Sequence, residues 1–192
     1  RSGNSVMSHP LAGTAPKFND ADSDQASMQK LLDSTKDAYE HKVTIEWLLN
    51  ELLPFCSYVD ADPEPKIVSL EHVHHLGTEV AGQLSSPPCS ILELVNALHP
   101  TPAVGGDPQT EALTIIKRVE GIDRRRYAGP VGWLAADGDG EFAVGIRSAE
   151  VKANTARLFA GVGLVEDSDP QSELEETEAK FKTMLNTFLS TT

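Results

Sequence analysis

Cysteine is scarce in this chain. Only Cys56 and Cys89 occur among 192 residues, too few for a disulfide framework and without the spacing of a zinc site, so a reducing compartment is expected and the cytoplasm is the default location. Basic charge is also short: 16 Lys and Arg stand against 29 Asp and Glu, a formal charge of -13. No basic stripe is available to displace counterions from a nucleic-acid backbone, which argues against DNA and RNA as partners. No run of about 18 apolar residues exists and the first residues lack a signal-peptide pattern, so neither a membrane span nor secretion is expected. There is no G-x-S-x-G, no P-loop and no cysteine at a convincing spacing from a histidine, which removes covalent-nucleophile and nucleotide-binding readings. No internal repeat is visible. What is present is 40% hydrophobic, enough for one sizeable core in one compact domain or two closely packed lobes. The chain opens at Arg1 without a methionine and reads as a piece of a longer one.

Periodicity and punctuation predict a mixed α+β fold. Ser5 to Pro16 reads as a short strand running into a Gly13-Thr14 turn, followed by a polar loop from Phe18 to Asp24. One long helix is expected next, with Met28, Leu31, Leu32, Ala38, Val43, Trp47 and Leu48 at helical spacing and Pro54 as its stop. Asp60 to Pro65 reads as a turn or linker. Ile67 to Leu70 and His74 to Leu84 read as strands, the second broken by Gly77 and Gly82. Ser90-Ile-Leu-Glu93 is a capping box that should start a helix reaching Leu98, closed by Pro100. Asp107-Pro108 should cap a helix to about Val119. From Tyr127 onward strands and tight turns are expected: a hairpin turn at Asp137-Gly-Asp-Gly140, a strand through Phe142, Val144 and Ile146 ending at Arg147, and a second turn near Ala153-Asn-Thr155. Asp169-Pro170 should cap a final helix with an apolar face of Leu174, Phe181, Met184, Leu185 and Phe188.

Several constellations could carry chemistry. Glu173, Glu176 and Lys180 share a face of the last helix; Asp33, Asp37 and Glu40 form a stripe on the long one, with Lys36 and His41 beside it. Each stripe is either a solvated charged face or a source of the one or two carboxylates that a hard divalent cation needs. Arg147 could grip a carboxylate bidentately, or be an edge-strand surface charge. The backbone N–H groups around Gly161 and Gly163 could hold an anionic oxygen, or the glycines could mark a bend. Asp137-Gly-Asp-Gly140 looks like the opening of a calcium loop but lacks the downstream ligands. His72-Val-His-His75 invites a zinc reading, yet His72 and His74 share one strand face while His75 points the other way, and no acidic or cysteine partner stands at metal spacing. His75, beside Leu76-Gly77, is the better substrate-facing imidazole.

Together the motifs resemble the chorismate-utilising enzymes, the family of anthranilate, aminodeoxychorismate, salicylate and isochorismate synthases. Seven matches fall in family order: Pro10-Leu-Ala-Gly-Thr14, Lys36-Asp-Ala-Tyr-Glu-His41, His75-Leu76, Leu98-His-Pro-Thr-Pro-Ala-Val-Gly-Gly106, Tyr127-Ala-Gly-Pro-Val-Gly-Trp133, Gly138-Asp-Gly-Glu-Phe142, and Ser168-Asp-Pro170 with Glu173-x-x-Glu-Thr177. Ala103 looks like the isochorismate synthase version, where aminating members and salicylate synthases typically carry threonine. The resemblance implies that residues 1–192 are the C-terminal portion of a single chorismate-binding catalytic domain, the C-terminal half of an α/β sandwich with antiparallel strands flanked by helices. It implies Mg²⁺ as cofactor, with Glu40 and Glu176 as ligands and Asp37 and Glu173 holding the ion's water shell. It implies that Tyr127 and Arg147 grip a chorismate carboxylate and that Gly161 and Gly163 present backbone donors. Lys180 would add positive charge, and Gly13, Thr14, His75, Ala103 and Ile146 would line the pocket. The implied reaction adds water at C2 of chorismate with loss of the C4 hydroxyl. Its lysine base and glutamate acid lie upstream of Pro10-Leu-Ala-Gly-Thr14, and no lysine or glutamate occurs before Gly13. The chain is therefore expected to hold no catalytic acid or base, to be inactive alone, and to need a missing N-terminal half or to self-associate through open sheet edges. A salicylate or anthranilate synthase sibling and a non-catalytic chorismate- or metal-binding remnant are the alternatives. The product could feed menaquinone, a siderophore or salicylate.

Overall fold

A computed structural model describes residues 1–71 and 73–189. The polypeptide forms two units, one of Arg1–Gly105 with Trp133–Glu141 and one of Gly106–Gly132 with Phe142 onward. The architecture is α+β, and every strand pairing is antiparallel where its register is defined.

The first unit carries two three-stranded sheets. One has the order β1 (Ser5–Ser8), β6 (Val80–Leu84), β3 (Cys56–Ala61); the other has β2 (Leu11–Pro16), β5 (Val73–Gly77), β4 (Lys66–Ser69). Helix α1 (Ala21–Leu32) packs on β2 and β5, and α2 (Thr35–Leu52) packs on β2, β3 and β5. Helix α3 (Ile91–Leu98) and the single turn α4 (Pro102–Gly105) lie against α2. Along α2 the buried positions His41, Thr44, Leu48 and Leu52 recur at helical spacing. Leu52, Leu76, Leu94 and Val80 are each 1% exposed, and each such side chain contributes roughly 2 kcal/mol by leaving water.

Several expectations change here. The long helix is two helices. Asp33 closes α1, and Ser34, with ψ 108, leaves helical geometry while its hydroxyl accepts the Asp37 N–H, so a polar cap interrupts the apolar periodicity. The polar loop is shorter than expected, because Asp20 caps α1 by accepting the Ser23 N–H at 2.8 Å. Gly13-Thr14 is no turn but an irregularity inside β2, between Ala12 and Ala15. There Gly13 has φ +66, and a Cβ would stand 2.8 Å from Asp37 Oδ1, so the position requires glycine. Strand β3 runs to Ala61, leaving only residues 62–65 as the turn. Gly77 ends β5, but Gly82 does not break β6: it pairs with Val6 and Val59, and its bare face accommodates Cys56 Sγ. The capping box at Ser90 and Glu93 forms as expected. His72 lies outside the described residues.

The second unit contains α5 (Gln109–Val119), the hairpin β9 (Ser148–Lys152) with β10 (Thr155–Phe159), and α6 (Pro170–Leu189) packed on β10. A further hairpin, β7 (Pro130–Leu134) with β8 (Gly140–Val144), has its tip in the first unit and its base in the second. Its turn falls at Asp137–Gly140 as expected: Gly138 N donates to Ala135 O and Ala135 N to Asp139 O, with Gly138 at φ +87. At α5 it is Pro108, not Asp107, that holds the cap position, without a side-chain hydrogen bond. At α6 Asp169 caps as expected, accepting the Ser172 N–H at 2.8 Å. The apolar face predicted for α6 is turned inward only in part, at Phe181 and Met184. Glu173 is 6% exposed, whereas Leu174 is 53% and Leu185 45%; the inward stripe runs Glu173, Thr177, Lys180, Phe181, Met184. Among the described residues no helix is long and apolar enough to cross a membrane.

Candidate functional site

Each unit assembles its own group of the predicted residues. In the first, the irregularity of β2 aims the Gly13 carbonyl at the neighbouring strand. His75 Nδ1 meets Gly13 O at 2.7 Å, and Thr14 Oγ1 lies 3.2 Å from the same nitrogen. A carbonyl can only accept, so Nδ1 donates. His75 is 6% exposed, and its ring is thereby locked against the one strand segment where any side chain larger than hydrogen would meet Asp37. Asp37 opens α2 and Glu40 follows three residues later on the same face; Lys36 Nζ stands 4.0 Å from Glu40 Oε1. Ala103 sits on α4, exposed.

His41 follows Glu40 on the helix and stands in the sequence as a neighbour of the acidic stripe and the last residue of the Lys36–His41 motif. It is buried, its Nε2 lies 2.7 Å from Thr78 Oγ1, and burial pushes its pKa down. This bond ties α2 to the link between β5 and β6. His74 also proves structural: Nδ1 lies 2.8 Å from Ser69 Oγ, and Nε2 lies 2.8 Å from Asp24 Oδ1. These contacts fasten α1 and the end of β4 to β5, and no zinc role is needed to explain the residue.

In the second unit, Tyr127 is the centre. Its ring stacks on Phe159 with centroids 5.3 Å apart and planes 16° apart, and the Arg124 guanidinium lies over it at 5.8 Å. Burial raises the phenol's pKa, with Arg124 opposing. Gly161 meets the other end of the ring, since a Cβ there would stand 2.9 Å from the Tyr127 hydroxyl. Lys180 closes the group: Nζ donates to Gly161 O at 3.1 Å and to Glu176 Oε1 at 2.7 Å. Thus Tyr127, Gly161, Lys180 and Glu176 are brought together, with buried Glu173 one turn before Glu176 on α6. Phe159 and Arg124, which hold Tyr127, were not singled out from sequence. Arg124 could have been found from Glu120 four residues earlier, to which it donates two hydrogen bonds.

Arg147 departs from its prediction. Strand β8 stops at Val144, and Arg147 occupies the left-handed region at φ 46 before β9 begins. A non-glycine residue there costs on the order of 1 kcal/mol. Its Nε is buried with no hydrogen-bond partner among the described residues, where a buried donor ordinarily has one. Ile146, 47% exposed, stands next to it, held by its N–H to Val144 O at 2.9 Å. A Cβ on Gly163 would meet nothing within 4 Å.

The acid pairs on α2 and α6 are all-carboxylate donors, the chemistry a hard divalent cation takes. Among the described residues no set of three or more His, Cys, Asp or Glu is gathered at ligating distance.

A family model described as chorismate binding enzyme matches residues 1–189. The chain belongs to the chorismate binding enzyme family. Within it, the isochorismate synthase DhbC of Bacillus subtilis is 44% identical over 185 residues, covering 96% of this chain and 46% of that protein. A solved structure from Bacillus anthracis, assigned as the 2,3-dihydroxybenzoate-specific isochorismate synthase DhbC, superposes with a TM-score of 0.93 at 46% identity over 97% of this chain and 50% of that one. MenF, the menaquinone-specific isochorismate synthase of Escherichia coli, superposes at 0.85 with 31% identity, covering 95% of this chain and 42% of its own. The chain spans about half the length of these relatives.

Proposed function

We propose that this chain carries the greater part of the chorismate site of an isochorismate synthase, an isomerase of the cytoplasm that converts chorismate to isochorismate by adding water at C2 and releasing the C4 hydroxyl. The observation that carries the reading is the likeness, at 44–46% identity over almost the whole chain, to relatives that bear that name. The two units would be parts of one catalytic domain. Arg147, with its unpartnered buried Nε, and the hydroxyl of Tyr127 would hold a substrate carboxylate; backbone N–H groups at Gly161 and Gly163 and the charge of Lys180 would hold other anionic oxygens. Gly13, Thr14, His75, Ala103 and Ile146 would line the ring. Glu40 and Glu176 would hold Mg²⁺, with Asp37 and Glu173 around its water shell, and the ion would neutralise substrate charge in an otherwise acidic protein.

This chain's residues bind and orient; none is assigned as the general base or acid. The proton transfers would belong to a lysine and a glutamate outside it, so the chain alone is inactive. Product analysis by liquid chromatography and mass spectrometry tests this, with chorismate and Mg²⁺ given to the chain and to its natural full-length protein. Isochorismate from the full-length protein alone is expected. Salicylate with pyruvate, or anthranilate when an amine donor is supplied, would move the assignment to a sibling enzyme, and absence of turnover by both would overturn it.

A further inference from the structure

Strand β1 has one side occupied. Leu84 N donates to Asn4 O at 2.8 Å, and Val6 pairs with Gly82, so the main-chain groups of Asn4 and Val6 face β6. Antiparallel alternation turns those of Ser5 and Met7 to the opposite side. There Ser5 exchanges both hydrogen bonds with Ser2, at 3.0 and 2.9 Å, around a two-residue turn with Gly3 at φ +56. Such a turn lays the chain before it antiparallel along the strand after it. Arg1, which falls opposite Val6, points its main chain the other way. Its nitrogen donates to Gly140 O at 2.9 Å, and its carbonyl accepts from Gly140 N at 3.2 Å. Arg1 thus already occupies a strand position with a neighbour on each side.

The Asp137–Gly140 turn clamps this corner. Asp139 accepts the Gly3 N–H at 2.9 and 2.8 Å and faces Arg1 Nε at 3.5 Å, and the Arg1 side chain is 7% exposed. Arg1 Nη1 also donates to Asp137 O at 3.4 Å. The turn that resembles a calcium loop spends its Asp139 carboxylate on holding residues 1–3. The next position along the edge is Met7. It is 71% exposed, and on this side its N–H and C=O make no main-chain hydrogen bond among the described residues.

We propose that the outer edge of β1 is the docking edge for one further β-strand, formed by the polypeptide that leads into Arg1, with the residue immediately before Arg1 paired to Met7. The relatives, about twice this chain's length, show that the family has chain to supply it. The sheet then reads incoming strand, β1, β6, β3, and the Asp137–Gly140 clasp sets the register. That matters because a slip of one residue would exchange the two faces of the incoming strand.

Hydrogen exchange on the natural full-length protein and on the 192-residue chain tests this. The Met7 amide is expected to slow by about 100-fold in the longer protein, and by more than the Val6 amide, which β6 already protects in both. Equal exchange at Met7 in the two proteins overturns the proposal. In the full-length protein, Met7→Pro removes the donor and is expected to lower the denaturant midpoint, whereas Met7→Lys keeps the main chain and is not; equal effects count against it. An edge-to-edge dimer of the 192-residue chain, protecting Met7 as fully as the longer protein does, would give the edge to a second copy and overturn the assigned occupant.

Discussion

In the first unit, Ala15, Leu31 and Leu76 form a buried apolar cluster with Ile67 packed against it, next to Gly13, Thr14 and His75 in the chain or on the neighbouring strand, and Leu48, Leu52, Leu84 and Leu94 are buried as well. In the second, the buried hydrophobic residues among those described are Ala128 and Phe159. The first unit therefore holds its site residues through burial, a non-directional effect spread over many contacts. The second holds them through directional pieces: a ring stacked on Tyr127, a lysine bonded to both a carbonyl and a carboxylate, and an arginine kept in a left-handed backbone. Damage to the first should register mainly as lost stability. Damage to the second should register mainly as lost binding, at modest cost in stability.

The largest effect expected is from Leu76→Ala, where a fully buried side chain between sheet and helix is truncated. Urea unfolding should show a loss of about 3 kcal/mol. Phe159→Leu should lose less, about 1 kcal/mol from the missing ring stack, yet weaken chorismate binding by the full-length protein more than Leu76→Ala does in calorimetry on the folded fraction. If the two variants shift binding equally, the contrast between the units fails. A third substitution probes a polar fastener in the first unit. The hydrogen bond from His74, then that from the Phe18 N–H, holds the Asp24 carboxyl below its ordinary range. A carboxyl with a lower pKa folded than unfolded stabilises the fold above the unfolded value, and loses that contribution as pH falls through the folded one. The stability difference between the protein and Asp24→Asn should therefore be present at pH 5 and shrink below about pH 4, as followed by urea titrations across that range. The smallest effect is a gain. Ala153, at φ 51 in the β9–β10 turn, pays for a left-handed backbone, so Ala153→Gly should stabilise by about 0.5 kcal/mol in thermal unfolding and leave chorismate binding unchanged.

Signals confined to a few neighbouring residues were legible in the sequence. Ser90 and Glu93 satisfy each other's backbone, Asp169 caps its helix, and Gly138 marks its turn, because in each case the partners lie within four positions. What was not legible was either masked by a stronger pattern or depended on distant partners. Ser34 splits a periodic helix because its hydroxyl prefers the Asp37 N–H, a local choice hidden under continuous apolar spacing. Gly13 reads as a turn residue until the closeness of Asp37 and Leu31 shows why a strand needs it. On α6 the apolar spacing gives Phe181 and Met184 but not the rest of the inward stripe, because apolar residues are not always the buried ones: Glu173 faces inward while Leu174 is exposed. The charged residues of the candidate site, with Gly161, Gly163 and His75, stood out by residue pattern, and their roles and the rest came through family motifs, whereas the supports Phe159, Arg124 and Thr78 came with the structure.

His74 and His75 are neighbours in sequence but lie on opposite faces of β5, and their surroundings oblige opposite tautomers. An ionised Asp24 only accepts, so neutral His74 carries its proton on Nε2 and receives the Ser69 hydroxyl at Nδ1. The Gly13 carbonyl also only accepts, so neutral His75 carries its proton on Nδ1. At a pH where both rings are neutral, the two consecutive imidazoles should therefore give mirror-image nitrogen-15 patterns. One spectrum would then report separately on the seating of α1 against β5 and on the glycine bend facing the proposed substrate.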